Sequence, residues 1–210
     1  MDTLNASSQS LIDVLEVAGT IAFAVSGAMA ATRHQLDWFG VVVLGVIVAV
    51  GGGTIRALLL GDPAGWIEDW WPVAVGAASA AAVIPLSRWV GTEFDSWNSV
   101  LSADAVGLAV FTVVGADAAL DAGAPAGVAV VLGVVSGIAG GILRDVLVGD
   151  QPAVFTGQIY ALAAAVGGVL YVALLRTEVD PTLALWAPIA VIFGLRMVAL
   201  RRDWSVPKVS

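Results

Sequence analysis

Two arginines lie within otherwise apolar stretches, and each follows adjacent glycines at the same spacing. Arg56 ends the segment GGGTIR and Arg144 ends the segment GGILR. An arginine at membrane depth costs about 2.5–3.5 kcal/mol or more, so it normally faces the interior of a helix bundle and has a partner. A planar guanidinium group binds carboxylates well, whether they belong to the protein or to a solute. The two arginines are therefore candidates for charged positions along a membrane pathway.

Two acids occupy equivalent places relative to these arginines. Glu16 precedes Arg56 by 40 residues, and Asp104 precedes Arg144 by 40 residues. This spacing predicts two ion pairs, Glu16 with Arg56 and Asp104 with Arg144, one at each end of a buried path. The alternative is that the arginines are interfacial residues whose long aliphatic stems reach toward water.

The composition indicates that the elements positioning these charges are membrane helices. Hydrophobic residues make up 59% of the 210-residue chain and charged residues only 12%, against about 45–50% and about 25% in ordinary globular domains. The absence of cysteine and the single histidine, His34, exclude thiolate sites and leave little room for a metal site or a catalytic triad. A net charge of -8 argues against a nucleic-acid partner. We therefore expect a polytopic, all-α membrane protein with no cofactor and the lipid bilayer as its surroundings.

Uncharged stretches predict where the chain crosses the membrane, because a spanning helix needs about 20 apolar residues. The first stretch lacks the basic flank of a signal peptide, so it is expected to remain in the mature protein. The sequence predicts seven transmembrane helices, at about 12–31, 38–60, 70–88, 101–119, 125–148, 155–175 and 183–200.

The chain repeats itself at an offset of 88 residues without a gap. Gly52 then aligns with Gly140, Arg56 with Arg144, and a shared G-G-x-x-R-x-x-L-x-G-D core emerges. Apolar helices match one another by chance at many positions, but a shared core with glycines, an arginine and an aspartate at fixed spacing is specific. It therefore indicates an internal repeat, which bears on the fold of the whole chain. Each unit, about 11–88 and about 100–176, holds three predicted spans, so the second would cross in the opposite direction. The seventh helix, about 183–200, is left over, within one integral membrane domain over 1–210.

The glycines before each arginine lead to a prediction about the second and fifth helices. Inverted repeats with broken helices are typical of transporters and related conduits. Because glycine lowers helix propensity by about 1 kcal/mol relative to alanine, we expect both helices to kink or unwind there and to line a pathway. The alternative is that the glycines form small-xxx-small faces for close helix packing.

Basic residues in short loops predict the orientation of the chain. With the N-terminus outside, the inner side receives Arg33, Arg88, Arg201, Arg202 and Lys208, whereas the outer loops hold Arg176 among several acids that include Asp117. We therefore expect a multi-pass protein of the plasma membrane with a cytoplasmic C-terminus.

The segments GGGTIRALLLGDP at 51–63 and GGILRDVLVGDQP at 140–152 resemble the duplicated signature of the bacterial and archaeal relatives of the trimeric intracellular cation channels, whose domain is also described as a glycine transporter domain. The resemblance covers about residues 11–200. It implies a homotrimer of seven-helix protomers in a three-plus-three inverted arrangement plus one helix, each with its own pore between the kinked second and fifth helices. By motif position it implies functional roles for Gly51, Gly52, Gly53, Arg56, Gly140, Gly141, Arg144 and Asp145. Ala57 departs from the pattern, since the family usually has an aspartate there.

Two functions remain open at this point. The first is a homotrimeric channel for monovalent cations of the potassium type, and the alternative is a secondary transporter of glycine or another small solute. Arginines disfavour cations unless acids neutralise them, whereas a zwitterion could use an arginine for its carboxylate. An enzyme is not expected, because the Ser and Asp residues show no catalytic spacing. A dinucleotide site at Val41–Val50 is also not expected, because the full GxGxxG spacing is missing.

Overall fold

The computed structural model describes residues 6–90, 96–156, 159–202 and 204, and its elements are all helical. A 3₁₀ turn lies at Ala153–Phe155. The α-helices, in chain order, are α1 Ala6–Arg33, α2 Trp38–Leu60, α3 Gly65–Glu68, α4 Trp71–Val90, α5 Trp97–Asp121, α6 Ala126–Val148, α7 Ala161–Leu174 and α8 Pro181–Arg201. Helices α1, α2, α5, α6 and α8 are long and apolar enough to cross a membrane.

Each of the seven predicted segments overlaps one α-helix of the structure, and five of these helices are long and apolar enough to cross a membrane. The short helix α3 and the 3₁₀ turn were not predicted, and α7 begins at Ala161 rather than near residue 155. Pro152 lies just before the 3₁₀ turn. Proline lacks a backbone N–H, and it lies directly before the first residue of this turn, where no intrahelical donor is required.

The helix ends recur at the 88-residue offset that the sequence predicts. Helix α2 ends on Gly61 with φ 82°, and α6 ends on Gly149 with φ 83°. A left-handed residue directly after a helix favours glycine, because a side chain would be strained there. The backbone N–H of each glycine donates hydrogen bonds to carbonyl oxygens in the last turn of its own helix. The same sequence signal therefore ends both helices.

Helices α1 and α5 form the centre of the protein. The hydrophobic segment of α5 is 78% buried and that of α1 is 61% buried, against 39% for α2 and α6. Phe23 and Phe111, which are equivalent in the repeat, stack with ring centroids 5.4 Å apart and an interplanar angle of 3°. Such offset pairs of large aromatic rings stabilise a core beyond the area they bury. Helix α8 packs against α5 and α7.

Two expectations from the sequence are wrong. Helices α2 and α6 do not unwind at their glycines but continue through them, because the glycines lie where another helix approaches closely and tertiary packing overrides their low propensity. A kink at the glycines, the other form of this expectation, stays a prediction. Asp117 does not lie in a loop, since α5 extends to Asp121 and Asp117 is only 3% exposed. Lys208, which entered the orientation argument, lies outside the described residues.

Candidate pathway and its two charged ends

At one end of the bundle, Arg56 lies close to Glu16. The Nη2 atom of Arg56 is 3.3 Å from Glu16 Oε1, and the two side chains are 17% and 30% exposed. The sequence prediction of this ion pair is confirmed. Its partial exposure means that water screens the pair, so its contribution to stability is small. This side of the molecule is called the Glu16 end below.

A cavity of about 240 Å³ opens at the Glu16 end. Besides Glu16 and Arg56, its polar lining includes Thr20, Thr54 and Asp62. Gly53 also faces it, and a Cβ added there would meet no atom within 4 Å. The Nη1 atom of Arg56 is buried without a hydrogen-bond partner among the described residues. The cavity therefore carries one guanidinium and two carboxylates.

Below the cavity, α2 and α6 cross at their glycines. A Cβ on Gly52 would collide with the carbonyl oxygen of Ser136, and one on Gly140 would lie 3.0 Å from the carbonyl oxygen of Val48. Val48 and Ser136 are themselves equivalent in the repeat, so the two contacts are the same contact made twice. A Cβ on Gly51 would collide with Leu143. The glycines thus allow the two backbones to approach more closely than side chains would permit.

At the opposite end, Arg144 forms the centre of a closed polar network, and this side is called the Arg144 end. Its Nη1 atom lies 2.6 Å from Asp104 Oδ1 and 2.7 Å from Ser26 Oγ. Its Nη2 atom lies 2.7 Å from Asp145 Oδ1. The Arg144 and Asp104 side chains are both fully buried, so the predicted pair is confirmed. A buried charge of this kind needs such partners.

Asp145 ties the same network to the chain that follows α6. Its Oδ1 atom accepts a hydrogen bond from Arg144 Nε at 2.8 Å, and its Oδ2 atom accepts one from the backbone N–H of Ala153 at 3.0 Å. Asp145 therefore fixes both the arginine and the start of the 3₁₀ turn. Ala57, its equivalent in the first repeat, can do neither.

Tyr160 and Arg196 complete the Arg144 end. A Cβ on Gly141 would collide with the Tyr160 hydroxyl oxygen and lie 2.8 Å from Asp104 Oδ1. The guanidinium carbon of Arg196, on α8, lies 4.8 Å from the centre of the Tyr160 ring. Its Nη1 atom donates to the carbonyl oxygen of Ile159 at 3.0 Å. Arg196 is fully buried.

The two ends of the candidate pathway are thus unequal, although their residues are equivalent in the repeat. Gly53 borders open space, whereas Gly141 is covered by Tyr160 and Asp104. The residue at the place of Tyr160 in the first repeat is Pro72, which lines the cavity. In this structure the Glu16 end is open and the Arg144 end is closed.

Sequence reasoning did not single out four residues of these sites. Ser26 and Tyr160 gave no signal, because one hydroxyl in an apolar helix is common. Arg196 did give one, since it is an arginine within a predicted span. Asp117 gave a signal of the same kind, and its carboxylate accepts a hydrogen bond from the Tyr171 hydroxyl between α5 and α7.

The fold and the buried charges define a multi-pass, all-helical membrane protein. The sequence profile of the family described as Glycine transporter matches residues 13–88 and again residues 101–176. The chain belongs to this glycine transporter family. It is 37% identical over 199 residues to the inner membrane protein YadS of Escherichia coli K12, covering 94% of this chain and 95% of that one.

Solved structures give the same assignment. The TRIC trimeric intracellular cation channel orthologue from Rhodobacter sphaeroides matches with a TM-score of 0.87 and 36% identity, covering 93% of this chain and all of that one. A prokaryotic TRIC channel whose structure was solved in 0.5 M KCl matches with a TM-score of 0.87 and 30% identity, covering 94% of this chain and all of that one. The chain therefore has the TRIC channel fold.

Proposed function

We propose that this protein is a homotrimeric channel for monovalent cations of the potassium type in the plasma membrane. Each protomer holds its own pathway, which runs from the Glu16 end to the Arg144 end between α2 and α6. The orthologue from Rhodobacter sphaeroides, 36% identical to this chain, is named as a trimeric intracellular cation channel, and the prokaryotic TRIC channel solved in 0.5 M KCl is 30% identical.

The proposed topology has seven spans. Helices α1, α2 and α4 form the first unit, about 11–88, and α5, α6 and α7 form the second, about 100–176. Because each unit has an odd number of long helices, the second enters the membrane from the opposite side, as inverted repeats do. Helix α8 is the seventh span, so the two termini lie on opposite sides of the membrane. The basic residues of the short loops favour an outside N-terminus and a cytoplasmic C-terminus.

The observation that carries the proposal is that both pathway arginines are neutralised by acids. Glu16 and Asp62 accompany Arg56 in the open cavity, and Asp104 and Asp145 flank Arg144. An uncompensated arginine would repel cations, whereas an excess of carboxylates raises their local concentration. The pathway residues we propose are those at these ends and at the crossing, namely Glu16, Gly51, Gly52, Gly53, Arg56, Asp104, Gly140, Gly141, Arg144 and Asp145.

Ion flux tests this proposal directly. The protein, reconstituted into potassium-loaded liposomes, should release potassium faster than protein-free liposomes. Gly53→Cys offers a test of the route, because the chain contains no other cysteine and Gly53 faces open space. A charged thiol reagent added at the Glu16 end should block potassium flux through the Gly53→Cys variant. The same reagent should not change flux through the protein without the cysteine. Flux that persists after complete labelling contradicts the proposed route.

A carrier for a small zwitterion is the second candidate, favoured by one observation. The cavity is open at one end and closed at the other, which is also the form of an alternating-access carrier. Arg56 Nη1, buried with no hydrogen-bond partner in the described part of the chain, could bind a solute carboxylate. Uptake of labelled glycine that is accelerated by glycine on the opposite side, without potassium conductance, would support the carrier and contradict the channel.

A further inference from the structure

We propose that Arg196 is a positioning residue through which α8 holds the Arg144 end closed. The inference rests on the proposed pathway and adds the part of the molecule that controls it. Arg196 does not itself face the crossing of α2 and α6. It acts on Tyr160, which covers Gly141.

Arg196 holds Tyr160 and the preceding residue by two contacts. It donates a hydrogen bond to the carbonyl oxygen of Ile159 at 3.0 Å, and its guanidinium lies over the Tyr160 ring at 4.8 Å. Both Arg196 and Tyr160 are buried. A cation over an aromatic face is stabilised most strongly when water is excluded, so this contact fixes the ring in place.

Tyr160 in turn occupies the place where the pathway would open at the Arg144 end. Its hydroxyl oxygen and the Asp104 carboxylate both lie against Gly141. The equivalent place at the Glu16 end, beside Gly53, is empty, and there Pro72 replaces the tyrosine. The difference between an open and a closed end therefore coincides with Tyr160 and with the helix that holds it.

Helix α8 has no counterpart in the repeat, so its contacts can make the two ends of the molecule different. Two symmetric units would form equal ends, and α8 adds one buried arginine, Arg196, to one end alone. Loss of the Arg196 contacts should release Tyr160 and open the Arg144 end, while the Arg144–Asp104 pair, at 2.6 Å, can remain formed.

The test uses Gly53→Cys as a reporter in sided liposomes. A membrane-impermeant thiol reagent added at the Arg144 end reaches this position only if that end opens. In an Arg196→Met background we expect this labelling to accelerate at least about tenfold, because a charge-assisted hydrogen bond and a cation–π contact are lost. Labelling from the Glu16 end should not change.

Matched variants separate positioning from general damage. Arg196→Lys retains a cation above the ring and should restore slow labelling, and Arg201→Met, on the exposed last turn of the same helix, should label like the parent. Tyr160→Phe removes the hydroxyl that covers Gly141 and should accelerate labelling from the Arg144 end. Tyr171→Phe, which makes the same change at the other buried tyrosine, should not. Tyr160→Phe also decides the case if Arg196→Met does not assemble.

Unchanged labelling from the Arg144 end in assembled Arg196→Met and Tyr160→Phe overturns the inference. Block of potassium flux by labelling of Gly53→Cys tests the pathway separately. If the block occurs and labelling from the Arg144 end stays slow, the positioning role fails and the proposed function stands. If Arg196→Met accelerates labelling but no variant conducts potassium, the channel fails and the positioning role stands.

Discussion

Arg56 and Arg144 are equivalent in the repeat, but their ion pairs have different surroundings. The Glu16–Arg56 pair is partly exposed at 3.3 Å, and the Asp104–Arg144 pair is fully buried at 2.6 Å with Asp145 as a second acid. Exposed pairs contribute about 0–1 kcal/mol, whereas stranding one partner of a buried pair costs about 3–5 kcal/mol. Stability should therefore depend on the second pair.

This difference predicts an order among substitutions at the Arg144 end. Arg144→Gln strands Asp104 and Asp145 together, so we expect the largest loss of unfolding free energy, about 3–5 kcal/mol. Asp104→Asn should cost less, because Asp145 still neutralises Arg144. Combining Arg144→Gln with Asp104→Asn should recover part of the loss, as measured by denaturation in detergent.

The matched cycle at the other end uses Glu16→Gln and Arg56→Gln. Its coupling energy should be below about 1 kcal/mol, because water replaces the lost partner. Additive effects at the Arg144 end as well would show that Arg144 and Asp104 are not coupled, which would contradict the order predicted for that end.

At the scale of the helices, the glycines of α2 and α6 let two backbones meet. Gly52 lies against the Ser136 carbonyl and Gly140 against the Val48 carbonyl. A backbone carbonyl cannot move away as a flexible side chain can, so Gly52 tolerates no added carbon atom without a shift of the helices, whereas at Gly140 the facing carbonyl would have to give by a few tenths of an ångström. Gly53, the next residue of α2, has free space.

Alanine substitutions should therefore have opposite effects at adjacent positions. Gly52→Ala should lower the thermal stability of the protein in detergent, because its Cβ would collide with Ser136. Gly53→Ala should leave stability unchanged or raise it, since alanine favours helix by about 1 kcal/mol relative to glycine. Equal effects of the two substitutions would show that propensity, and not the crossing, decides why glycine is present.

At the scale of the whole molecule, two related units build a protein with unlike ends. The family profile matches both units, and α2 and α6 end on glycines with nearly the same φ. Yet the first unit leaves a cavity of about 240 Å³, and the second fills the equivalent place with Tyr160. In this structure the candidate pathway is therefore open at the Glu16 end and closed at the Arg144 end.

The proposed topology predicts where single cysteines are reached by an impermeant reagent. Ala122 follows α5 at the Glu16 end, Gln151 follows α6 at the Arg144 end, and both are exposed. In intact cells Ala122→Cys should be labelled from outside, and Gln151→Cys only after the membrane is opened. Labelling of both from the same side contradicts the inverted repeat, and labelling in the reverse pattern contradicts only the orientation.

Several features of this protein could be predicted from its residues alone. Low charge and long apolar stretches require membrane helices, and the 88-residue repeat placed equivalent helices and arginines. The pairing of Glu16 with Arg56 and of Asp104 with Arg144 followed from the high cost of an uncompensated charge in a membrane. These properties depend on composition and local spacing, which a sequence states directly.

Three-dimensional packing was needed to show which end is closed and why the glycines do not break their helices. Arg144 and Ser26 are 118 residues apart in the chain, and Arg196 and Ile159 are 37 residues apart. No local pattern shows that such side chains meet. Gly53 and Gly141 are the same residue in the same motif, and they differ because Tyr160, fixed by a helix outside the repeat, packs against only one of them.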